Sequence, residues 1–143
     1  MNSKTFFYEF GRVLYKIDGF YAEYAKDSGV KENLLWILYA LNDNKVHSQK
    51  EICETWDLPR STVNTIMKEL EDDGYVKFLQ IKGEKRELQT KLTKKGIEYS
   101  SILLNGLYEI ERKAFNELSN KNLIVELKNI LEALYKNSDV EYD

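Results

Sequence analysis

The sequence predicts a mainly α chain with one small β-hairpin, and three observations carry that reading. Apolar residues recur at three- and four-residue steps over most of the length, the mark of helices that bury one face. Period-two alternation is confined to two short runs, 75–81 and 88–92, on either side of a turn containing Gly83-Glu84-Lys85. The single Pro among 143 residues, Pro59, falls between two periodic segments rather than inside one.

Taken in order, Phe6, Phe10, Val13, Ile17, Phe20 and Tyr24 place a first helix, with Phe7, Leu14 and Tyr21 beside them. Its apolar face is wider than one small domain needs. A second helix over 33–41 carries Leu34, Leu35, Trp36, Ile37 and Leu38 in near-continuous succession, as a buried element does. After a strand stub beginning at Val46, Ser48-Gln49-Lys50-Glu51 has the pattern of a capping box. In such a box the Ser48 hydroxyl accepts from the Glu51 N–H and the Glu51 carboxylate reaches back. The helix it opens buries Ile52 and Trp56 and stops near Asp57-Leu58. Pro59 sits at or near the first position of the next helix, where a missing N–H costs nothing. There Val63, Ile66, Met67 and Leu70 turn inward, which leaves Arg60, Ser61, Thr62, Asn64, Thr65 and Lys68 outward. Gly74 supplies the left-handed residue that ends this helix. Beyond the hairpin, Thr93 caps a long helix through Ile97, Ile102, Leu103, Leu104, Leu107, Ile110 and Phe115. Ser119 or Asn120 caps a last one bearing Leu123, Ile124, Leu127, Ile130, Leu131 and Leu134, and the chain frays from Asn137.

Two short helices joined by a turn, followed by a basic hairpin, form a shape that fits the DNA major groove, with the hairpin as a wing. The outward residues of the second helix strengthen this. Ser, Thr and Asn are poor helix formers, and a merely solvated face favours Glu, Lys and Gln. Their hydroxyls and amides suit base edges and phosphates, and Asn64 is the best candidate for a base edge. Lys82, Lys85 and Arg86 would bring positive charge to phosphates, while Ser48 and Gln49 offer backbone N–H groups at a helix start. The charge distribution agrees. The chain is net −3, yet 81–96 holds six basic residues against two acidic ones. The segment 97–143 holds five against nine. Phosphate contact is local, so the acidic tail does not oppose it.

The runs LPRSTVNTIMKELEDDGYV and GEKRELQTKLTKKG resemble the winged helix-turn-helix of the MarR family of transcriptional regulators. The wing pattern of an acidic residue, any residue and Arg stands here as Glu84-Lys85-Arg86, followed by Leu92-Thr93-Lys94-Lys95-Gly96. Two positions depart from the family pattern: Glu84 replaces the usual Asp, and Pro59 stands where a Ser or Thr cap is usual. The resemblance implies one domain over 1–143, with a winged helix-turn-helix at 30–96 and dimerisation helices at 1–29 and 97–143. It implies a triangular homodimer on a pseudo-palindromic double-stranded DNA operator, and repression by blocking a promoter. It also implies a small aromatic or phenolic effector in a cleft between dimer region and winged part, for which Phe20, Tyr24, Trp36 and Tyr39 are the expected lining. For Arg86, DNA contact, shaping of the wing tip and an ion pair with Glu84 or Asp72 all stand open.

Other classes find little support. There is no Gly-rich phosphate loop or nucleophile elbow, so no enzyme chemistry and no cofactor is expected. One His and one Cys, His47 and Cys53, make no metal site by spacing. A single Cys forbids an internal disulfide and fits a reducing cytoplasm, and Cys53 is expected in the core. No apolar run is long enough for a membrane span, and MNSKTFFYEF lacks a signal-peptide pattern. The rival readings are a winged helix that docks onto another protein without DNA, and a thiol-based redox sensor.

Overall fold

Local capping sets most of the element boundaries in the computed structural model, which describes residues 1–79 and 89–142. The order is α1 (Ser3–Asp27), α2 (Glu32–Leu41), β1 (His47–Ser48), α3 (Gln49–Trp56) and α4 (Arg60–Asp72). It continues with β2 (Val76–Leu79), β3 (Gln89–Leu92), α5 (Lys94–Glu117) and α6 (Leu123–Lys136). The described residues are thus mostly helical with a three-stranded antiparallel sheet in the order β1-β3-β2, the winged-helix arrangement the sequence predicts. The chain divides within α5 into two units, 1–104 and 105–143.

In the first unit the caps follow the chemistry of the sequence. Asn2 accepts from the Thr5 N–H at 2.9 Å, a start the sequence reading passed over. Ser48 accepts from the Glu51 N–H at 3.0 Å as expected. The other half of that capping box differs: the Glu51 carboxylate lies 2.9 Å from His47 Nδ1, because an imidazole is a stronger partner than a backbone amide. Pro59 is the N-cap of α4, next to its first helical residue, with φ −60° and ψ 139°. Its carbonyl accepts from the Val63 N–H at 3.1 Å.

The core of this unit is built on α2, whose Leu35, Ile37, Leu38 and Leu41 are all fully buried. Ile52 of α3, Val63, Met67 and Leu70 of α4, Val76 of β2 and Leu92 of β3 join it, with Ala25 of α1 and Leu103 and Leu104 of α5. Val76 and Leu92 are register partners, so the sheet turns one apolar face inward. Trp56, Ile66 and Cys53, all expected inside, are only half-buried. Thr62, expected outward, is half-buried too.

The end of α4 meets the start of α5 in a tight joint. Gly74 takes φ +79°, and the Tyr75 N–H returns to the Leu70 carbonyl at 2.8 Å. The Tyr75 carbonyl then accepts from the Thr93 N–H at 3.0 Å. Thr93 Oγ1 donates to the Gly74 carbonyl at 2.6 Å and accepts from the Gly96 N–H at 3.0 Å. Gly96 lies so close that a Cβ there would fall 1.8 Å from the Tyr75 oxygen. The rings of Tyr75 and Tyr99 stack with centroids 4.1 Å apart, and Lys95 donates to the Asp73 carbonyl at 2.7 Å.

In the second unit, α6 starts from Asn122 rather than from Ser119 or Asn120. The Asn120 side chain instead accepts from the Asn122 N–H at 3.0 Å, forming a turn ahead of the helix. No residue of α6 is buried, and Leu123, Ile124, Val125, Leu131 and Leu134 are exposed. In the first unit α1 shows the same excess: Ala25 alone is buried, while Phe6, Phe7, Val13, Leu14, Ile17 and Phe20 are exposed. Among the described residues, no helix is long and apolar enough to cross a membrane.

Gly96→Ala is expected to destabilise the fold by roughly 2–4 kcal/mol, because the clashing atom is backbone and the joint must open. Urea unfolding measures this. A loss no larger than the usual surface-substitution scatter, within about 0.5 kcal/mol, would show that the joint yields easily.

Candidate nucleic-acid interface

The α4 helix is anchored on one side and free on the other. Val63, Met67 and Leu70 fix its inner face, and Arg60, Ser61, Asn64, Thr65 and Lys68 lie exposed on the outer one. Arg60, Asn64 and Lys68 are four residues apart and share one row. Ser61 and Thr65 form the row beside it, and the Thr65 hydroxyl donates to the Ser61 carbonyl at 3.0 Å. That bond leaves the Thr65 oxygen able to accept while its proton is held. The outer face therefore offers one amide, two hydroxyls and two cations within a little over two helical turns, a set suited to base edges and phosphates.

At the start of α3 the two expected contacts differ in access. Ser48 is buried with its hydroxyl committed to the cap, and Gln49 is half-exposed. Lys82, Lys85 and Arg86 lie outside the described residues. The strands that lead to them carry two cations the sequence reading did not single out. Lys77 of β2 and Lys91 of β3 are register partners, facing away from the buried pair Val76 and Leu92. Like charges directly opposite each other destabilise a sheet unless an anion lies against them. Their period-two placement relative to Val76 and Leu92 was the available signal.

His47 ties this region together electrostatically. Its Nδ1 lies 2.9 Å from Glu51, and its Nε2 lies 2.8 and 2.9 Å from the two Asp43 oxygens. Carboxylates only accept, so both contacts are hydrogen bonds only when both ring nitrogens carry protons. Burial alone would lower the imidazole's pKa, but bonding to Asp43 and then Glu51 outweighs it and the pKa is raised. Burial would raise Asp43 in turn, yet bonding from His47 and the Lys45 N–H holds its carboxyl below the ordinary value.

Two cavities open in the first unit. One of about 600 Å³ runs between the 29–34 segment and α4, and Lys31, Ser61, Thr65 and Tyr99 are among its walls. Another of about 420 Å³ is lined by Asp18, Glu32, Asn33, Trp36, Trp56 and Leu58. Of the four aromatics expected around an effector, Trp36 alone borders either cavity. Tyr24 donates to the Leu103 carbonyl at 3.0 Å, Phe20 packs edge-on to Tyr21, and Tyr39 packs against Trp36 and Trp56.

Comparison with known proteins gives a consistent answer. A sequence model of the MarR family matches residues 28–87. The transcriptional regulator SarZ of Staphylococcus epidermidis is 27% identical over 116 residues, spanning 78% of this chain and 76% of its own. The structure of NMB1585, a MarR family regulator from Neisseria meningitidis, superposes with a TM-score of 0.81 at 25% identity, covering 95% of this chain and 96% of that one. Reduced AbfR, a protein of Staphylococcus epidermidis solved bound to DNA, shares the fold. Its TM-score is 0.70 at 22% identity, over 93% of this chain and 94% of that one.

His47 contributes stability that is fully present below its unfolded pKa near 6.5 and lost as pH rises through its raised folded value. His47→Gln should therefore lower the melting temperature more at about pH 6 than at about pH 9. A gap that stays constant or widens with pH would remove the doubly protonated link.

Proposed function

We propose that this chain is a transcriptional regulator of the MarR family, to whose sequence model, relative and solved structure it is similar, and that it binds a pseudo-palindromic operator as a homodimer and represses. The observation that carries the DNA reading is the outer face of α4 from Arg60 to Lys68, polar with two cations and no acid, while its opposite face is locked into the core. Asn64 reads a base edge, and Arg60, Ser61, Thr62, Thr65 and Lys68 hold phosphates or flanking bases. Gln49 and the backbone at Ser48 meet phosphate at the start of α3. Lys77 and Lys91 at the stem, with Lys82, Lys85 and Arg86 beyond, carry the positive charge alongside the groove.

Homodimerisation follows from the faces of α1 and α6. Each exposes a run of large apolar side chains beyond what a monomer leaves in water. A dimer then presents two α4 helices to successive major grooves, which ties half-site spacing to the separation of those helices. Repression is occupancy of the promoter, and a small effector releases it by binding the DNA-incompetent arrangement more tightly.

Asn64→Ala should cost roughly 1–3 kcal/mol on the preferred operator and little on random DNA. Lys68→Ala should weaken both and reduce the salt dependence, since a lysine on phosphate carries no sequence information. Filter binding at two salt concentrations separates the cases, and equal losses on both DNAs for Asn64→Ala would demote that residue to a backbone contact. For the oligomer, sedimentation at micromolar concentration should give about twice 16.9 kDa. A clean monomer would remove the two-half-site arrangement.

A further inference from the structure

We propose that the cavity between Asp18, Glu32, Trp36 and Trp56 is a binding site for an organic cation, an ammonium centre carried on an aromatic or apolar body. This goes beyond operator binding and does not depend on it. Its chemistry is also the reverse of an aromatic acid, which two carboxylates would repel.

The charge argument begins with the acidic pair. Asp18 on α1 and Glu32 at the start of α2 both line the cavity, near enough for Asp18 to disfavour the charge on Glu32. Burial raises the Glu32 pKa first, and the contact with Asp18 raises it further, only partly offset by the bond that the Trp36 indole N–H donates at 3.2 Å. Among the described residues, neither carboxyl forms an ion pair with a lysine or arginine. The pair is thus a place where a positive charge is missing. A bound cation relieves the like-charge repulsion that the fold leaves uncompensated.

The aromatic wall decides what kind of cation fits. Trp36 and Trp56 stack with ring centroids 5.3 Å apart at an angle of 29°. Tyr21 and Tyr39 hold the stack from outside, at 4.7 Å and 5.5 Å from Trp36. Leu58 adds an apolar wall, on a turn fixed by its N–H bond to the Cys53 carbonyl at 3.1 Å. A hydrated metal ion has no use for two indoles and a leucine, whereas an amphiphilic ammonium ion uses both the charged and the aromatic sides. The volume of about 420 Å³ suits a small organic molecule.

The chain's two tryptophans, Trp36 and Trp56, are both in the wall, so intrinsic fluorescence reports on the site directly. The probe is benzyltrimethylammonium, added to the intact protein without DNA, with benzoate as the ring of opposite charge. Saturable quenching is expected with the cation and none with benzoate. The apparent affinity should fall at least roughly tenfold in the D18N/E32Q double variant. It should also strengthen as pH rises through the carboxylate range, from about 4 to about 7. Should the double variant fail to fold, D18N alone, on an exposed position of α1, is expected to weaken binding in the same direction. A linear response without saturation, equal affinity for benzoate, or unchanged affinity in the folded variants overturns the proposal. Because no DNA is present, failure here leaves the operator reading untouched, and failure of that reading leaves this site intact.

Discussion

The approach of Gly96 to the Tyr75 carbonyl is the constraint on which the DNA-facing part depends. Within a few residues it joins the end of α4, the origin of β2, the end of β3 and the start of α5. Four backbone groups and one hydroxyl are satisfied there at once: Thr93 Oγ1 serves both the Gly74 carbonyl and the Gly96 N–H, while Tyr75 receives the Thr93 N–H. Any side chain at 96 would push α5 away from Tyr75 and break that set together. The joint also aims α4, because the turn at Gly74 leaves its last residues no other route. The Leu92-Thr93-Lys94-Lys95-Gly96 motif is therefore about geometry: it fixes the end of α4 and leaves the outer face of that helix exposed.

What was legible in the sequence is what local physics decides. Ser48 acts within three residues of itself, Gly74 turns the chain at its own position, Thr93 caps through Gly96 three residues on, and each sits where the pattern placed it. The amphipathic rows of α2 and α4 were readable for the same reason, since periodicity is a local property. The misreadings came from partners distant in the chain or from competition between neighbours. Glu51 was assigned to a backbone amide, but His47 stands beside it with a better donor. The pairing of β1 with β3 joins His47 to Thr90, and nothing near either residue announces it. The stack of Trp36 on Trp56 joins two helices separated by a strand, so the sequence shows two half-buried indoles and not one wall. An effector cleft drawn from aromatic residues alone gathers Phe20 and Tyr24, which pack elsewhere, and Tyr39, which packs on the indoles without lining the cavity, and leaves out the acids that do line it.

Net charge is a poor guide to the partner of such a chain. At −3 the protein as a whole repels a polyanion weakly, yet at physiological salt the Debye length is only about 8 Å, so distant acids are screened. What a phosphate meets is the nearest surface. Lys77 opposite Lys91 is informative in this respect, because folding alone gives no reason to place two ammonium groups across one pair of strands. Their mutual repulsion is relieved by an anion. Asp18 and Glu32 show the converse, two carboxyl groups brought together without a described cation between them. Among the described residues, neither like-charge pair is joined by an ion pair to a charge of opposite sign. The two are of opposite sign, so they call for different partners.

The indole wall and the start of α4 are connected through a short and stiff segment. Trp56 ends α3, Asp57 takes the left-handed conformation at φ 51°, and Pro59 starts α4 with its φ fixed by the ring. Between the indole wall and Arg60 there are three residues, two of them with little backbone freedom. An occupant that bears on Trp56 and Leu58 therefore bears on the N-terminal end of α4, where Arg60 and Ser61 face outward. Contact alone shifts nothing, since a ligand changes an equilibrium only by its difference in affinity for the two arrangements. On the proposal above, a cation seated between the acidic pair and the stacked indoles would supply such a difference by holding Trp56 in one position relative to α2, and with it the entry angle of α4. If DNA selects another entry angle, the two ligands oppose each other by the same factor in both directions. The direction of that coupling is then set by which angle matches the half-site spacing of the operator, and not by any contact between effector and DNA.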